Sequence, residues 1–158
     1  MPILLTPETR LVVQGMTGRE GSYHTQVMKD YGTRIVGGTS PTRGGQTFLD
    51  LPVFSSVHGA VKATGANASI SFIPAHQNAG DAIMEAADAG LGLIICLTEG
   101  IPVLDMVKVV DFLKGYDTHL IGPNCPGVMS PGIGKAGFMP ASAFSQGRVG
   151  MISRSGTL

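Results

Sequence analysis

The sequence predicts a doubly wound α/β fold around a parallel sheet, and three observations carry that expectation. Short Val-, Ile- and Leu-rich runs alternate with longer amphipathic stretches through most of the chain. That order builds a parallel sheet with right-handed crossovers. The runs at residues 68–73 and 91–97 are almost continuously apolar, as strands covered on both faces must be. The chain carries 23 glycines in 158 residues, well above a usual share of about 7%, and many fall where strands should hand over to helices.

Residues 1–9, with two prolines, are a lead-in with no assigned element. The first strand is predicted at 10–14 and the first helix at 21–31, closed by Gly32. A second strand spans 34–38 and leads into a Gly- and Thr-rich loop at 39–47. Leu51-Pro52-Val53 is a short extended piece. A helix capped by Ser55 or Ser56 follows and ends at Gly65, with Val57, Ala60 and Val61 inward. The third strand covers 68–73, and the next helix covers 79–89 with Ile83, Met84 and Ala87 as its buried stripe. The fourth strand is 91–97. Pro102 then opens a helix to about 116, placed where its missing N–H costs nothing. A fifth strand is expected at 119–121, a glycine- and proline-rich loop at 122–147, and a sixth strand at 148–153. Residues 153–158 read as a strand end and the first turn of another helix, so the chain is expected to be one domain of a longer polypeptide.

Charge narrows the function classes. Eleven basic and eleven acidic side chains give no formal net charge, which argues against a nucleic-acid surface. An anion site would have to be local, built from helix ends and one or two arginines. Cys96 and Cys125 suit reduced thiols in a cytosolic setting. No leader and no long apolar span is visible, so neither secretion nor membrane insertion is expected.

The most informative stretch is Leu11-Val12-Val13-Gln14-Gly15-Met16-Thr17-Gly18-Arg19-Glu20-Gly21. A strand that passes through glycines into a helix lets an anion approach bare backbone N–H groups at the positive end of the helix dipole. The spacing is Gly-x-x-Gly-x-x-Gly, not the dinucleotide Gly-x-Gly-x-x-Gly, and after Asp30 the next acid is Asp50. No carboxylate therefore stands where a free ribose diol would need one. The loop after the second strand instead offers Arg43 between small residues, which suits a phosphate on the adenosine ribose, as in coenzyme A or NADP; NAD is disfavoured.

Five strand-end segments should converge on one sheet edge: residues 17–20, Arg43, Ile73-Pro74-Ala75, Cys96-Leu97-Thr98 and Asn124-Cys125-Pro126. Glu99 is read as a helix-start acid. Cys96 is read as a small buried hydrophobe, and Cys125 as a non-catalytic thiol. His24 lies on the first helix close enough to the turn to touch a ligand. No histidine pair has metal-ligand spacing and the cysteines form no Cys-x-x-Cys, so no metal is expected. Ser153-Arg154-Ser155-Gly156 is either a second anion site at a helix start or a plain N-cap.

With these residues in place, the chain resembles the N-terminal CoA-binding domain of succinyl-CoA synthetase α subunits over essentially all 158 residues. The resemblance rests on Gln14-Gly15-x-Thr17-Gly18-x-x-Gly21, Tyr31-Gly32-Thr33, Val36-Gly37-Gly38 and Thr98-Glu99-Gly100-Ile101-Pro102. It also rests on Ile121-Gly122-Pro123-Asn124-Cys125-Pro126-Gly127 and Ser153-Arg154-Ser155-Gly156-Thr157-Leu158. Malate–CoA ligase belongs to the same family, and ATP-citrate lyase shares the pattern.

The resemblance implies a single Rossmann-like CoA-binding domain over residues 1–158, from a nucleotide-dependent acid–thiol ligase. The cofactor is coenzyme A and the substrate a small dicarboxylic acid. The partner is a β subunit carrying the nucleotide and magnesium site, in the cytoplasm or, in a eukaryote, the mitochondrial matrix. A histidine is phosphorylated, the phosphoryl group passes to the acid, and CoA displaces it. By resemblance the CoA contacts fall on Thr17, Gly18, Arg19, Glu20, Arg43, Cys96, Leu97 and Thr98, with Ile73 and Pro74 at the pocket edge. Ser153, Ser155 and Gly156 would face the phosphohistidine.

Two departures stand out. Arg43 occupies a position that is commonly Lys, and His76-Gln77-Asn78 replace a proline and small apolar residues. None of the four histidines stands in the family's Gly-His-Ala-Gly context, so no catalytic residue is expected within these 158 residues. The rival readings are a stand-alone CoA- or NADP-binding module and an NADP-dependent reductase.

Overall fold

The computed structural model describes residues 3–154. In chain order it forms β1 (Leu11–Gln14), α1 (Arg19–Asp30), β2 (Ile35–Thr39), β3 (Thr47–Phe48), β4 (Leu51–Phe54), α2 (Val57–Thr64) and β5 (Ala68–Ser71). Then follow α3 (Ala79–Asp88), β6 (Leu93–Cys96), α4 (Val103–Leu113), β7 (His119–Ile121), β8 (Gly127–Ser130) and β9 (Gly134–Gly137). Seven strands make one sheet in the order β3-β4-β2-β1-β5-β6-β7. Every pairing in it is parallel except β3 with β4. The chain winds outward from β1 to β4, then crosses back to β5 on the other side of β1. The point of reversal lies between β1 and β5, where open α/β sheets bind their ligands.

Both faces are covered, which is why the central strands read as unbroken apolar runs. β1, β5 and β6 are buried at every position. Leu11 and Val13 face the side of α1, packing with Met28, Ile70 and Ile95. Val12 points the other way, onto Ala60 of α2 and Ile83 and Ala86 of α3, with Val109 of α4 in the same cluster. The alanines at 60, 82, 86 and 87 let α2 and α3 sit close to the sheet. Among the described residues no helix is long and apolar enough to cross a membrane.

Most helix ends obey local chemistry. Ser56, not Ser55, caps α2: its hydroxyl accepts from the Gly59 N–H at 3.2 Å, and Gly65 ends the helix in the left-handed region at φ +65°. α1 begins at Arg19, two residues earlier than its sequence suggests, because Gly18 takes the extended N-cap conformation.

Two expectations need correction. Residues 122–147 are not a plain loop: β8 and β9 pair as an antiparallel hairpin across Pro131-Gly132-Ile133. Its glycines hid it, since glycine is depleted in strands. Gly127 and Gly137 adopt φ +108° and +130°, and each lies against the opposing backbone, so a side chain at either would strike the partner strand. The sixth strand at 148–153 does not form. The chain between β7 and residue 148 folds into the hairpin rather than a crossover helix, so nothing returns it to the edge of β7, and Val149, Met151 and Ile152 stay exposed.

α1 lies close on the β1 turn. A Cβ at Gly21 would fall within 2.9 Å of the Gly15 carbonyl carbon, whereas a Cβ at Gly92 would meet nothing within 4 Å. Gly21→Ala should therefore destabilise the domain by about 2 kcal/mol, in the range of overpacked cores. Gly92→Ala should change stability by less than about 0.5 kcal/mol, as surface substitutions do. Urea unfolding of the two variants checks this, and equal stabilities would contradict the packing.

Candidate functional site

The site grows from the end of β1. Gln14 is fully buried, and Gly15 then turns the chain at φ +78°. The Gly15 N–H donates to the Thr39 carbonyl at 3.1 Å, fastening the turn to the end of β2, and the Gly18 N–H closes it on the Gly15 carbonyl at 3.1 Å. The first bond inside α1 runs from the Ser22 N–H to the Gly18 carbonyl at 2.8 Å, and no side chain caps the helix. The N–H groups of Arg19, Glu20 and Gly21 therefore have no intrahelical partner and point outward with the positive end of the dipole. Gly18, Arg19 and Glu20 are exposed beside them. Free N–H groups at a helix start favour an anion.

From the turn, hydrogen bonds run along the C-terminal edge of the sheet. Gly15 lies so near β5 that a Cβ there would touch Ile73 Cγ1 at 3.4 Å. The Thr98 hydroxyl donates to the Ile73 carbonyl at 2.6 Å. The Leu97 N–H reaches the Ser71 carbonyl at 3.3 Å, and the Asn124 N–H reaches the Thr98 carbonyl at 2.9 Å. The Cys125 thiol donates to the Cys96 carbonyl at 3.4 Å. The ends of β1, β5, β6 and β7 thus form one continuous floor. Residues 17–20, Ile73-Pro74, residues 96–98 and Asn124-Cys125 come together on it.

Within that floor the residues divide by exposure. Cys96 and Leu97 are buried, so they shape the floor from beneath, while Thr98 is half-buried and Pro74 exposed. Burial pushes both the Cys96 and the Cys125 thiols up, so neither is a thiolate at neutral pH. Arg43 sits on the exposed loop after β2. That loop is held by Arg43 N–H to Ser40 O at 3.3 Å and by Gly45 N–H to Val53 O at 2.8 Å. Among the described residues no carboxylate pairs with Arg43. Ala75–Gln77 makes one exposed 3-10 turn, and Asn78 takes the left-handed conformation before α3. Ser153 is exposed; Ser155 and Gly156 lie outside the described residues. A cavity of about 270 Å³ at the opposite edge, lined by Leu5, Thr9, Arg34 and Ile133, touches none of these groups.

One wall of the crevice was not visible in the sequence. Phe72 follows β5 on the α1 side, and Phe138 follows β9; their ring centroids are 5.9 Å apart. His24 lies parallel to Phe72 at 5.7 Å and edge-on to Phe138 at 4.5 Å. Phe72 shares the inward parity of Ile70, a signal that could have placed it. Phe138 could not be placed without the hairpin. Lys135, on β9, is 4% exposed; its own N–H and carbonyl bond the Thr33 hydroxyl. Among the described residues no three His, Cys, Asp or Glu side chains gather as a metal site.

Burial holds the His24 imidazole below its usual range; Glu20, 3.8 Å from Nε2, partly opposes this, and Lys135 reinforces it. A histidine that is harder to protonate folded than unfolded lends stability above its ordinary value, near 6.5. That stability is lost as pH falls through 6.5 toward the folded value. His24→Phe should therefore flatten the fall in stability below pH 6.5 seen by thermal melts of the parent, and an unchanged slope would contradict it.

Comparison with known proteins fits this geometry. The family model described as CoA binding domain matches residues 6–100. The chain is 53% identical over 160 aligned positions to the succinate–CoA ligase [ADP-forming] subunit alpha of Aquifex aeolicus, covering all of this chain and 52% of that protein. It is 51% identical over 158 positions to the succinate–CoA ligase [ADP-forming] subunit alpha 2 of Archaeoglobus fulgidus, covering all of this chain and 55% of that one. The chain thus spans about half the length of the curated relatives it matches. Among solved structures, ATP citrate lyase from Methanothrix soehngenii in complex with citrate and coenzyme A superposes with a TM-score of 0.73 at 21% identity. That match covers 85% of this chain and 24% of that one, and supports the fold. On the family match across the β1 turn, the Arg43 loop and the ends of β5 and β6, the chain belongs to the CoA-binding domain family.

Proposed function

We propose that this domain holds coenzyme A for a nucleotide-dependent acid–CoA ligase of the succinate–CoA ligase α type. The observation that carries the reading is the uncapped start of α1 at the sheet's point of reversal, with an unpaired arginine on the neighbouring loop. In this reading Thr17, Gly18, Arg19 and Glu20 receive the diphosphate through their N–H groups and the Thr17 hydroxyl. Arg43 meets the phosphate on the adenosine ribose. An arginine there presents a planar fork of donors where the family commonly has a lysine's single ammonium. Ile73, Pro74 and Thr98 line the path of the arm over the floor made by Cys96 and Leu97. No reacting group is needed from this chain. Its share is to place the thiol against an activated acid, an effect of proximity and orientation.

The overall reaction proposed is succinate, CoA and ATP or GTP giving succinyl-CoA, ADP or GDP and phosphate, by way of an acyl phosphate. The relatives that are about half identical across the chain support it. A β subunit would supply the nucleotide and magnesium site, and a phosphohistidine elsewhere would be faced by Ser153, Ser155 and Gly156. The setting proposed is the cytoplasm. Malate as the acid is the alternative within the same chemistry.

Calorimetric titration tests the cofactor reading: saturable binding of CoA with none of NADPH is expected. Arg43→Ala should weaken CoA about tenfold or more, the scale of a charge-assisted hydrogen bond, and leave dephospho-CoA nearly unchanged. Equal losses for the two ligands would remove Arg43 from that role. Purification of the native protein should recover a second chain with the nucleotide site; thioester formation by this chain alone would overturn the division of labour.

A further inference from the structure

The β3–β4 hairpin continues the loop that carries Arg43, and its own turn is strained. Phe48 pairs with Leu51, so Leu49 and Asp50 alone make the turn. Both stand in the left-handed region, at φ +51° and +60°. Two-residue hairpin turns need that conformation, which Asn-Gly supplies readily and a leucine does not. β3 is two residues long and lies at the edge of the sheet, against a β4 that contains Pro52. A hairpin this short is marginal without a contact from outside it.

That contact is Lys29, in the last turn of α1. Its ammonium donates to the Leu49 carbonyl at 2.7 Å and lies 3.4 Å from Asp50 Oδ2. Asp50 is almost fully exposed, so the carbonyl bond is the stronger tie. Beneath it Phe48 and Leu51 pack on the core that holds Met28 of α1. The ladder then carries this anchor to the Arg43 loop. The Val53 N–H donates to the Gln46 carbonyl at 2.9 Å, and the Gly45 N–H to the Val53 carbonyl at 2.8 Å. The Ser40 N–H reaches the Phe54 carbonyl at 2.9 Å, and Gly44 sits so close to Ser55 that a Cβ would strike its hydroxyl.

α1 starts at the strand ends and runs back along the sheet, while β4 runs parallel to β2 toward the crevice. Lys29 and Leu49 therefore meet at the edge remote from the crevice. The other ends of the same two elements, the start of α1 and the Arg43 loop, stand at the crevice itself.

We infer that Lys29 is a positioning residue for Arg43. By fastening the Leu49–Asp50 turn to the end of α1, it fixes the separation between Arg43 and the N–H groups at the start of that helix. The pair is thereby set for a ligand that carries a diphosphate and a ribose phosphate at that spacing. This role rests on the cofactor reading above and falls to a side chain that stands away from the crevice.

Calorimetry on the 158-residue chain tests it with CoA and dephospho-CoA, which lacks the ribose phosphate. Lys29→Met keeps the aliphatic stem and removes the ammonium. It should weaken CoA about fivefold, the scale of coupling within one network, and leave dephospho-CoA within about twofold. Lys29→Arg should restore most of the CoA affinity, and melting temperatures show that the variants are folded. In an Arg43→Ala background, Lys29→Met should cost CoA nothing further. Parallel loss of both ligands, loss of neither, or an undiminished loss in the Arg43→Ala background overturns the role of Lys29 and leaves the cofactor reading standing. A parent that binds the two ligands equally overturns the roles of both Arg43 and Lys29, and one that binds neither overturns the cofactor reading as well.

Discussion

The backbone contact between Gly15 and Gly21 governs this molecule. Only because Gly21 carries no Cβ can α1 descend onto the Gly15 carbonyl, while Gly15 supplies the φ of +78° that turns the chain there. That descent sets where the first N–H groups of α1 point, and the Gly15 N–H bond to Thr39 fixes the turn to the sheet edge. The middle glycine has another role: Gly18 supplies an extended N-cap with no side chain to occupy the helix's own donors. A serine or aspartate there would satisfy one of them and compete with a ligand. The helix start gives up the stability of a cap and leaves its first N–H groups without a side-chain partner.

Electrostatics follow from the same economy. A chain with no formal net charge cannot draw a polyanionic cofactor by its overall field. In the proposed reading it relies on a dipole end and on Arg43, which pairs with no carboxylate among the described residues. The rest of the crevice is mostly uncharged: two protonated thiols, a half-buried imidazole and two phenylalanine rings, with the Glu20 carboxylate 3.8 Å from that imidazole as the exception. This division matches a ligand that is strongly charged at one end and largely aliphatic at the other. The floor is tied across β5, β6 and β7 by Thr98 and Asn124, so the neutral half is a fixed surface rather than a set of separate loops.

Much of this was legible in the sequence where local chemistry and tertiary packing agree. The strands at 11–14 and 119–121, the capped helix ending at Gly65 and the glycine turn after β1 all carry their signals in a few adjacent residues. Arg43 and residues 96–98 were legible from their places after predicted strands, and the resemblance to a known family added the expectation that they touch coenzyme A. What the sequence hid depends on distant partners. The β8–β9 hairpin is built from glycines that are there for backbone contact, so it looks like loop. The apolar alternation at 148–153 looks like a strand, but a strand needs an edge to join and the hairpin does not return the chain to the one beside β7. Phe138 belongs to the crevice only because that hairpin returns beside Pro126. Cys96 and Leu97, expected as contacts, are buried at the end of β6.

The central claim is that the bare start of α1 grips the diphosphate of coenzyme A. A crystal structure of the protein with coenzyme A measures this directly. The account predicts diphosphate oxygens within hydrogen-bonding distance of the Arg19 and Glu20 N–H groups and the Thr17 hydroxyl. A cofactor bound with its diphosphate away from α1, and those N–H groups facing only water, would contradict it.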